Sequence, residues 1–241
     1  NDIDVLCDTV CEMDAGTMTC IRERTDEKMD EICLEMRQIT RWERGQRLIL
    51  DHVDFSVGRK EKVLIKGDIR EDTQEMFAVA SGIITAQEGT CRISCAGIIP
   101  EQFPDLERMR AMDYILLPQL AVGYDRKRAW ERIRPVIKGS ILWEKRMIYA
   151  ENLTAYEKSV LLSIAAFSTE PEIVLAGDGL GKMTEEERKK YGIWLSGCLT
   201  DSGMAFVAFG NLWENIVHFD RICEIQNGHL RNINKIREEK R

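Results

Sequence analysis

The sequence predicts an α/β protein: a mostly parallel sheet with an antiparallel β-subdomain added to it. Three observations carry that expectation. Two runs, PEIVLA at 171–176 and MAFVAF at 204–209, are apolar but for Glu172, as strands buried on both faces of a parallel sheet are. These runs alternate with helical stretches, two of which open on capping boxes, Thr154 with Glu157 and Thr184 with Glu187. Between 32 and 94, by contrast, apolar and polar residues alternate along several segments, the pattern of strands with one wet face.

Taken in order, 4–21 alternates and breaks at Asp14-Ala15-Gly16, which predicts a hairpin. Thr25 then caps a short acidic helix ending near 31. Strands are expected over 32–40 and 47–57, a turn at Gly58-Arg59-Lys60, a strand over 61–66 and a helix over 72–85. Short strands follow at 88–95 and 97–100. Helices are expected over 106–120 and 125–137, with Pro118 and Pro135 limiting their ends. The stretch 138–152 carries no clear period. A helix over 153–167, the 171–176 strand, a helix over 184–198 and the 204–209 strand complete the alternation. A helix over 211–217 and a hairpin over 220–231, turning at Asn227-Gly228, close the chain.

With 241 residues the chain has room for one large domain or two small ones. Its 44% hydrophobic and 31% charged residues describe a soluble globular protein, and a net charge of −7 disfavours nucleic acid or an anionic membrane surface as a partner. No apolar run approaches the roughly 18–20 residues that span a bilayer, and no signal peptide is visible. The eight cysteines (Cys7, Cys11, Cys20, Cys33, Cys91, Cys95, Cys198, Cys223) are dispersed, mostly in apolar stretches, and form no C-x-x-C. They read as buried free thiols of a reducing compartment rather than a metal site. His52, His218 and His229 show no ligand spacing.

The chain starts at Asn1 rather than a methionine, so a fragment or processed form is expected. An internal repeat sharpens this: CDTVCEM at 7–13 followed by Gly16 is echoed by FDRICEI at 219–225 followed by Gly228. Residues 1–31 are therefore expected to be the tail of a preceding domain homologous to the main one, which spans 32–232 and is followed by a charged tail at 233–241.

The stretch EKVLIKGDIREDTQEMF at 61–77 reads as strand, polar loop and helix, the layout of a phosphate-binding P-loop. The pattern G-x-x-x-x-G-K-[ST] would begin at Gly67, but its second glycine falls on Asp72, its lysine on Thr73 and its hydroxyl on Gln74. Asp68, Glu71 and Asp72 set three negative charges against Arg70. One carboxylate about 4 Å from a phosphate charge costs roughly 4 kcal/mol at an effective dielectric near 20. At the second glycine position, Asp72 would also be strained by about 1–2 kcal/mol.

In their order, these pieces resemble the nucleotide-binding domain of ABC transporters, from about 32 to 230. The resemblance is greatest to the second ATPase half of sugar-type (ribose/galactose) importers, through Pro100-Glu101, through Asn211-Leu212-Trp213-Glu214 where that group lacks the switch histidine, and through the opening repeat. It implies a P-loop NTPase-like fold with a helical subdomain, ATP and Mg²⁺ as ligands if the family activity survives, and a cytoplasmic position on the inner face of a cell membrane. A second ABC ATPase domain and membrane permease subunits are the implied partners. The permease is expected to meet a docking patch of Phe103, Leu106, Met109 and Met112, residues that equally well pack on the domain's own helical core.

The family's chemistry is broken at several of its positions. The signature loop becomes Leu153-Thr154-Ala155-Tyr156-Glu157, with Tyr156 in place of a glycine. The Walker B strand ends in Gly177-Asp178, so Gly177 stands where an aspartate should hold Mg²⁺ and Asp178 is left as a shortened general base. Glu101 takes the Q-loop position and Gly210 the switch position. ABC domains pair head to tail around ATP, so a chain that has lost both its P-loop and its signature contribution completes neither composite site.

Three functions follow from this. The first is a degenerate ATP-binding domain serving an importer as a structural or regulatory partner, with no tightly bound cofactor and no metal. The second is a weak ATPase that uses Asp178 as base and Lys66 or Arg70 as the phosphate cation. The third is a cytosolic sensor or adaptor.

Overall fold

The computed structural model describes residues 9–14, 17–23, 32–42, 47–104 and 108–233, and side chains from 32 onward. The chain divides into two units, Asn1–Glu31 and Ile32–Arg241. In the first, β1 (Thr9–Asp14) and β2 (Thr17–Glu23) form the expected antiparallel hairpin. The helix expected after Thr25 lies outside the described residues.

The second unit holds two sheets. β3 (Ile32–Trp42), β4 (Leu48–Gly58) and β6 (Glu88–Ile93) form an antiparallel sheet in the order β4-β3-β6, as the alternating pattern predicts. The larger sheet has the order β11-β10-β5-β9-β8-β7. Its strands are β5 (Lys62–Gly67), β7 (Ala96–Ile99), β8 (Ile173–Ala176), β9 (Ala205–Phe209), β10 (Arg221–Gln226) and β11 (His229–Asn232). Every pairing in it is parallel except that of the β10–β11 hairpin.

Burial on both faces explains the apolar runs. Leu64, Val174, Ala176, Phe206 and Ala208 face a core shared with the helices, whereas Val63, Ile65, Ile173, Leu175, Ala205, Val207 and Phe209 face a core shared with the antiparallel sheet. Successive residues of one strand thus belong to different cores.

The helices are α1 (Arg70–Ala80), α2 (Ala111–Ala121), α3 (Arg126–Lys138), α4 (Leu142–Lys145), α5 (Ala155–Phe167) and α6 (Glu185–Ser202). Both capping boxes are present, with Thr154 and Thr184 as N-caps. Pro118 and Pro135 lie inside α2 and α3 rather than at their ends, because each helix runs on to Ala121 and Lys138. The helix expected over 211–217 shrinks to a single 3-10 turn, Asn211–Trp213. The unreadable stretch 138–152 resolves into α4 and a 3-10 turn at Ala150–Asn152. Among the described residues no helix is long and apolar enough to cross a membrane.

The internal repeat is reproduced by the backbone. Gln226, Ile225, Glu224 and Cys223 pair with His229, Leu230, Arg231 and Asn232, and Asp14, Met13, Glu12 and Cys11 pair with Thr17, Met18, Thr19 and Cys20 in the same register. Of the cysteines with described side chains, Cys33 and Cys223 are buried and Cys91 and Cys198 half-buried, but Cys95 is exposed, against expectation.

Candidate functional site

Parallel strands place their C-terminal ends along one edge of the sheet, where open α/β folds bind ligands. Here β5, β9, β8 and β7 end in step, with Ile65 opposite Phe209 and Ala176 opposite both Ala208 and Ile99. At or just beyond these ends lie Gly67, the last residue of β5, Gly210, Gly177 with Asp178, and Glu101. The four stretches read from the sequence as P-loop, switch, Walker B and Q-loop positions therefore meet at one place.

The loop after β5 is short. Only Asp68 and Ile69 separate the strand from α1, whose N-cap, Ile69, makes no side-chain cap. Asp72, Thr73 and Gln74 consequently lie inside α1 rather than at the rim of a wide phosphate loop. The strain expected at Asp72 is absent, because its backbone is helical and its N–H donates to the Ile69 carbonyl at 3.2 Å. Its side chain is buried and ion-paired with Arg47, and burial still pushes the carboxyl above its usual range. Thr73, at the lysine position, is buried too, and its hydroxyl donates to the Arg70 carbonyl at 2.8 Å.

Both cations that could rescue a phosphate site are engaged. Lys66 Nζ lies 2.8 Å from Glu214 Oε2, and Arg70 is paired with Glu101. Glu101 also accepts from Gln74 Nε2 at 2.6 and 2.7 Å. Gly67 is held by the Asn211 side chain, which donates to its carbonyl at 2.9 Å and accepts from its N–H at 3.4 Å.

Gly177 is a close-contact glycine. A Cβ added there would lie 2.9 Å from the Glu101 nitrogen, so this backbone has no room for a Mg²⁺-holding carboxylate. The Gly177 carbonyl accepts from Trp213 Nε1 at 3.0 Å. Beside it, Asp178 Oδ1 is buried without a hydrogen-bond partner. Burial pushes the Asp178 carboxyl up; Arg70 opposes this and Glu101 adds to it. Gly210 adopts φ +114, and a Cβ there would lie 2.5 Å from Asp178 Cγ. A histidine at this position would displace the aspartate.

These residues do not fit Mg-ATP. The loop is too short to wrap a phosphate, both nearby cations hold carboxylates, and the metal position is closed by the Glu101 backbone. The interactions that close the site involve Arg47, Asn211, Trp213 and Glu214. The sequence reading registered the last three only as a place without a switch histidine, and long-range pairing leaves no local signal.

Thr154, Ala155 and Tyr156 are not joined to this cluster. Thr154 caps α5 through the Glu157 N–H at 3.3 Å, and Tyr156 is half-buried against the helical core. Glu157 is buried and ion-paired with Lys145. Burial pushes its carboxyl up, but the Lys145 ammonium and the Thr154 N–H outweigh this and hold it below the usual range.

For the docking patch, Phe103 and Met112 are half-buried against the helical core, the alternative that the sequence left open, with Phe103 6.0 Å from the Tyr114 ring; Leu106 lies outside the described residues. Met109 is half-buried, its carbonyl accepting from the Ala150 N–H at 2.8 Å. Exposed apolar side chains of the helical region include Ile141, Met147, Ile148 and Tyr149, with Tyr149 bridged to Arg110. A groove of about 460 Å³ runs between the antiparallel sheet, at Arg37 and Asp54, and the β10–β11 hairpin, at Arg221 and Asn232.

No family profile and no curated protein matches the chain. Solved structures do. A nucleotide-free ATP-binding cassette from an ABC transporter superposes with a TM-score of 0.73 at 14% identity, over 86% of this chain and 94% of that one. The ATP binding subunit of an ABC transporter gives 0.71 at 15% identity over 86% and 93%. A dimeric bacterial ABC transporter cassette gives 0.68 at 18% over 82% and 96%. The chain has the fold of an ABC transporter ATP-binding cassette.

Proposed function

We propose that this chain is a cassette domain kept for its shape: a structural or regulatory partner in an ABC importer of the sugar type, with little or no ATP hydrolysis. The observation that carries the reading is the closed strand-end cluster, in which Arg70 and Lys66 hold Glu101 and Glu214 and Gly177 admits no carboxylate. Partners follow from the fold. A second cassette domain would pair with this one head to tail, and a permease subunit would bring the pair to the inner face of the membrane from the cytoplasm. The exposed Ile141, Met147, Ile148 and Tyr149 supply apolar surface for such a contact. The reading that residues 1–31 come from the end of a preceding homologous domain draws support from the register shared by the two hairpins.

The competing reading is a weak ATPase with Asp178 as base, favoured by that carboxyl's burial and raised pKa. Titration calorimetry with Mg-ATP, run beside a phosphate-release assay, separates the two. The proposed function expects no binding heat and no turnover. Tight Mg-ATP binding, or turnover that disappears in Asp178→Asn, would overturn it.

A further inference from the structure

The connection from β7 to the helical layer runs through Pro100, Glu101, Gln102 and Phe103, and Glu101 is gripped along both its backbone and its side chain. Its backbone is received by two glycines: a Cβ at Gly177 would lie 2.9 Å from its nitrogen and one at Gly179 2.8 Å from its oxygen. Its side chain, 16% exposed, accepts from Arg70 and from Gln74. Arg70 is the first residue of α1 and Gln74 lies one turn further on. The carboxylate therefore lies against the opening turn of the helix, whose positive dipole end favours an anion. A guanidinium and an amide N–H donate to carboxylate and phosphate oxygens alike. No other carboxylate at the cluster is held in this way. Asp178 leaves Oδ1 without a partner, and Asp72 is turned to Arg47.

We propose that Glu101 is a resident anion. Its carboxylate takes the place beside Arg70 and Gln74 that a phosphate ligand would take, so the link between sheet and helical layer is fastened without any ligand. This deepens the proposed function and rests on its reading that the site takes no nucleotide. The specific claim is that one side chain, rather than the general acidity of the loop, keeps anions out.

Tripolyphosphate is the probe, used with the unaltered chain, Glu101→Gln, Glu101→Ala and the double variant Glu101→Gln/Arg70→Gln. Binding is read by calorimetry and by the shift in melting temperature. The unaltered chain should show no response. Both Glu101 single variants should melt lower in buffer and be raised by millimolar tripolyphosphate, binding it at least about tenfold more tightly than the unaltered chain. The double variant should lose that response. The inference is overturned if neither single variant responds, or if the response survives removal of Arg70. Mg-ATP binding by the unaltered chain would overturn the proposed function instead, and the contrast between single and double variants would still decide this one.

Discussion

Two helix starts in this molecule, those of α5 and α1, are built on opposite plans. The α5 start is closed from within: Thr154 and Glu157 cap each other's backbones in a reciprocal box. The α1 start has no side-chain cap and is closed from outside, by Glu101 on Arg70 and Gln74, Asn211 on Gly67 and Arg47 on Asp72. At α5 the residues of the first turn serve the helix itself. At α1 they are partners for distant parts of the fold. A local plan survives changes elsewhere, whereas a distributed plan depends on all its contributors.

The largest expected effect tests the local plan. Glu157→Ala removes a buried carboxylate that serves both the cap and Lys145, and should cost about 2–3 kcal/mol in urea denaturation. Glu157 is held below the usual carboxylate range, so its contribution is present above the unfolded value and lost as pH falls through the folded one. The acid limb of the stability profile should therefore flatten in the variant. Asn211→Ala tests the distributed plan. It strips both hydrogen bonds from Gly67 and should cost about 1–2 kcal/mol, with the loss concentrated in faster amide exchange at the start of α1.

The smallest expected effect has the opposite sign. Burial raises Asp178's pKa in the folded state, so the folded chain binds a proton more readily than the unfolded one, and stability falls as pH rises through the folded value. Asp178→Asn should remove that slope and stabilise the protein by about 1 kcal/mol at neutral pH, read as a higher urea midpoint.

The same contrast explains what the sequence discloses. The capping boxes of α5 and α6, the apolar runs of β8 and β9 and the alternation of β3 and β4 are local signals, and each element stands where those signals put it. The α1 start does not, because helix propensity over Arg70 and Glu71 and the pull of Glu101 shorten a loop that the P-loop pattern spaces more widely. The 3-10 turn at Asn211–Trp213 is short for a similar reason: Asn211 turns to Gly67 and Trp213 to Gly177. That Gly67, Glu101, Gly177, Asp178 and Gly210 gather at one edge was legible because four parallel strands end there. The closure of the site was not, since it depends on pairs separated by 25 to 148 residues in sequence.

The glycines at 177 and 210 limit what each position accepts. Each abuts another altered position, Gly177 the Glu101 backbone and Gly210 the Asp178 side chain. An aspartate at 177, or a histidine at 210, would drive a side chain into space its neighbour occupies. Neither position takes a larger residue without first breaking a fitted contact, so each glycine is locked by its neighbour, and a change at either glycine requires a compensating change at that neighbour.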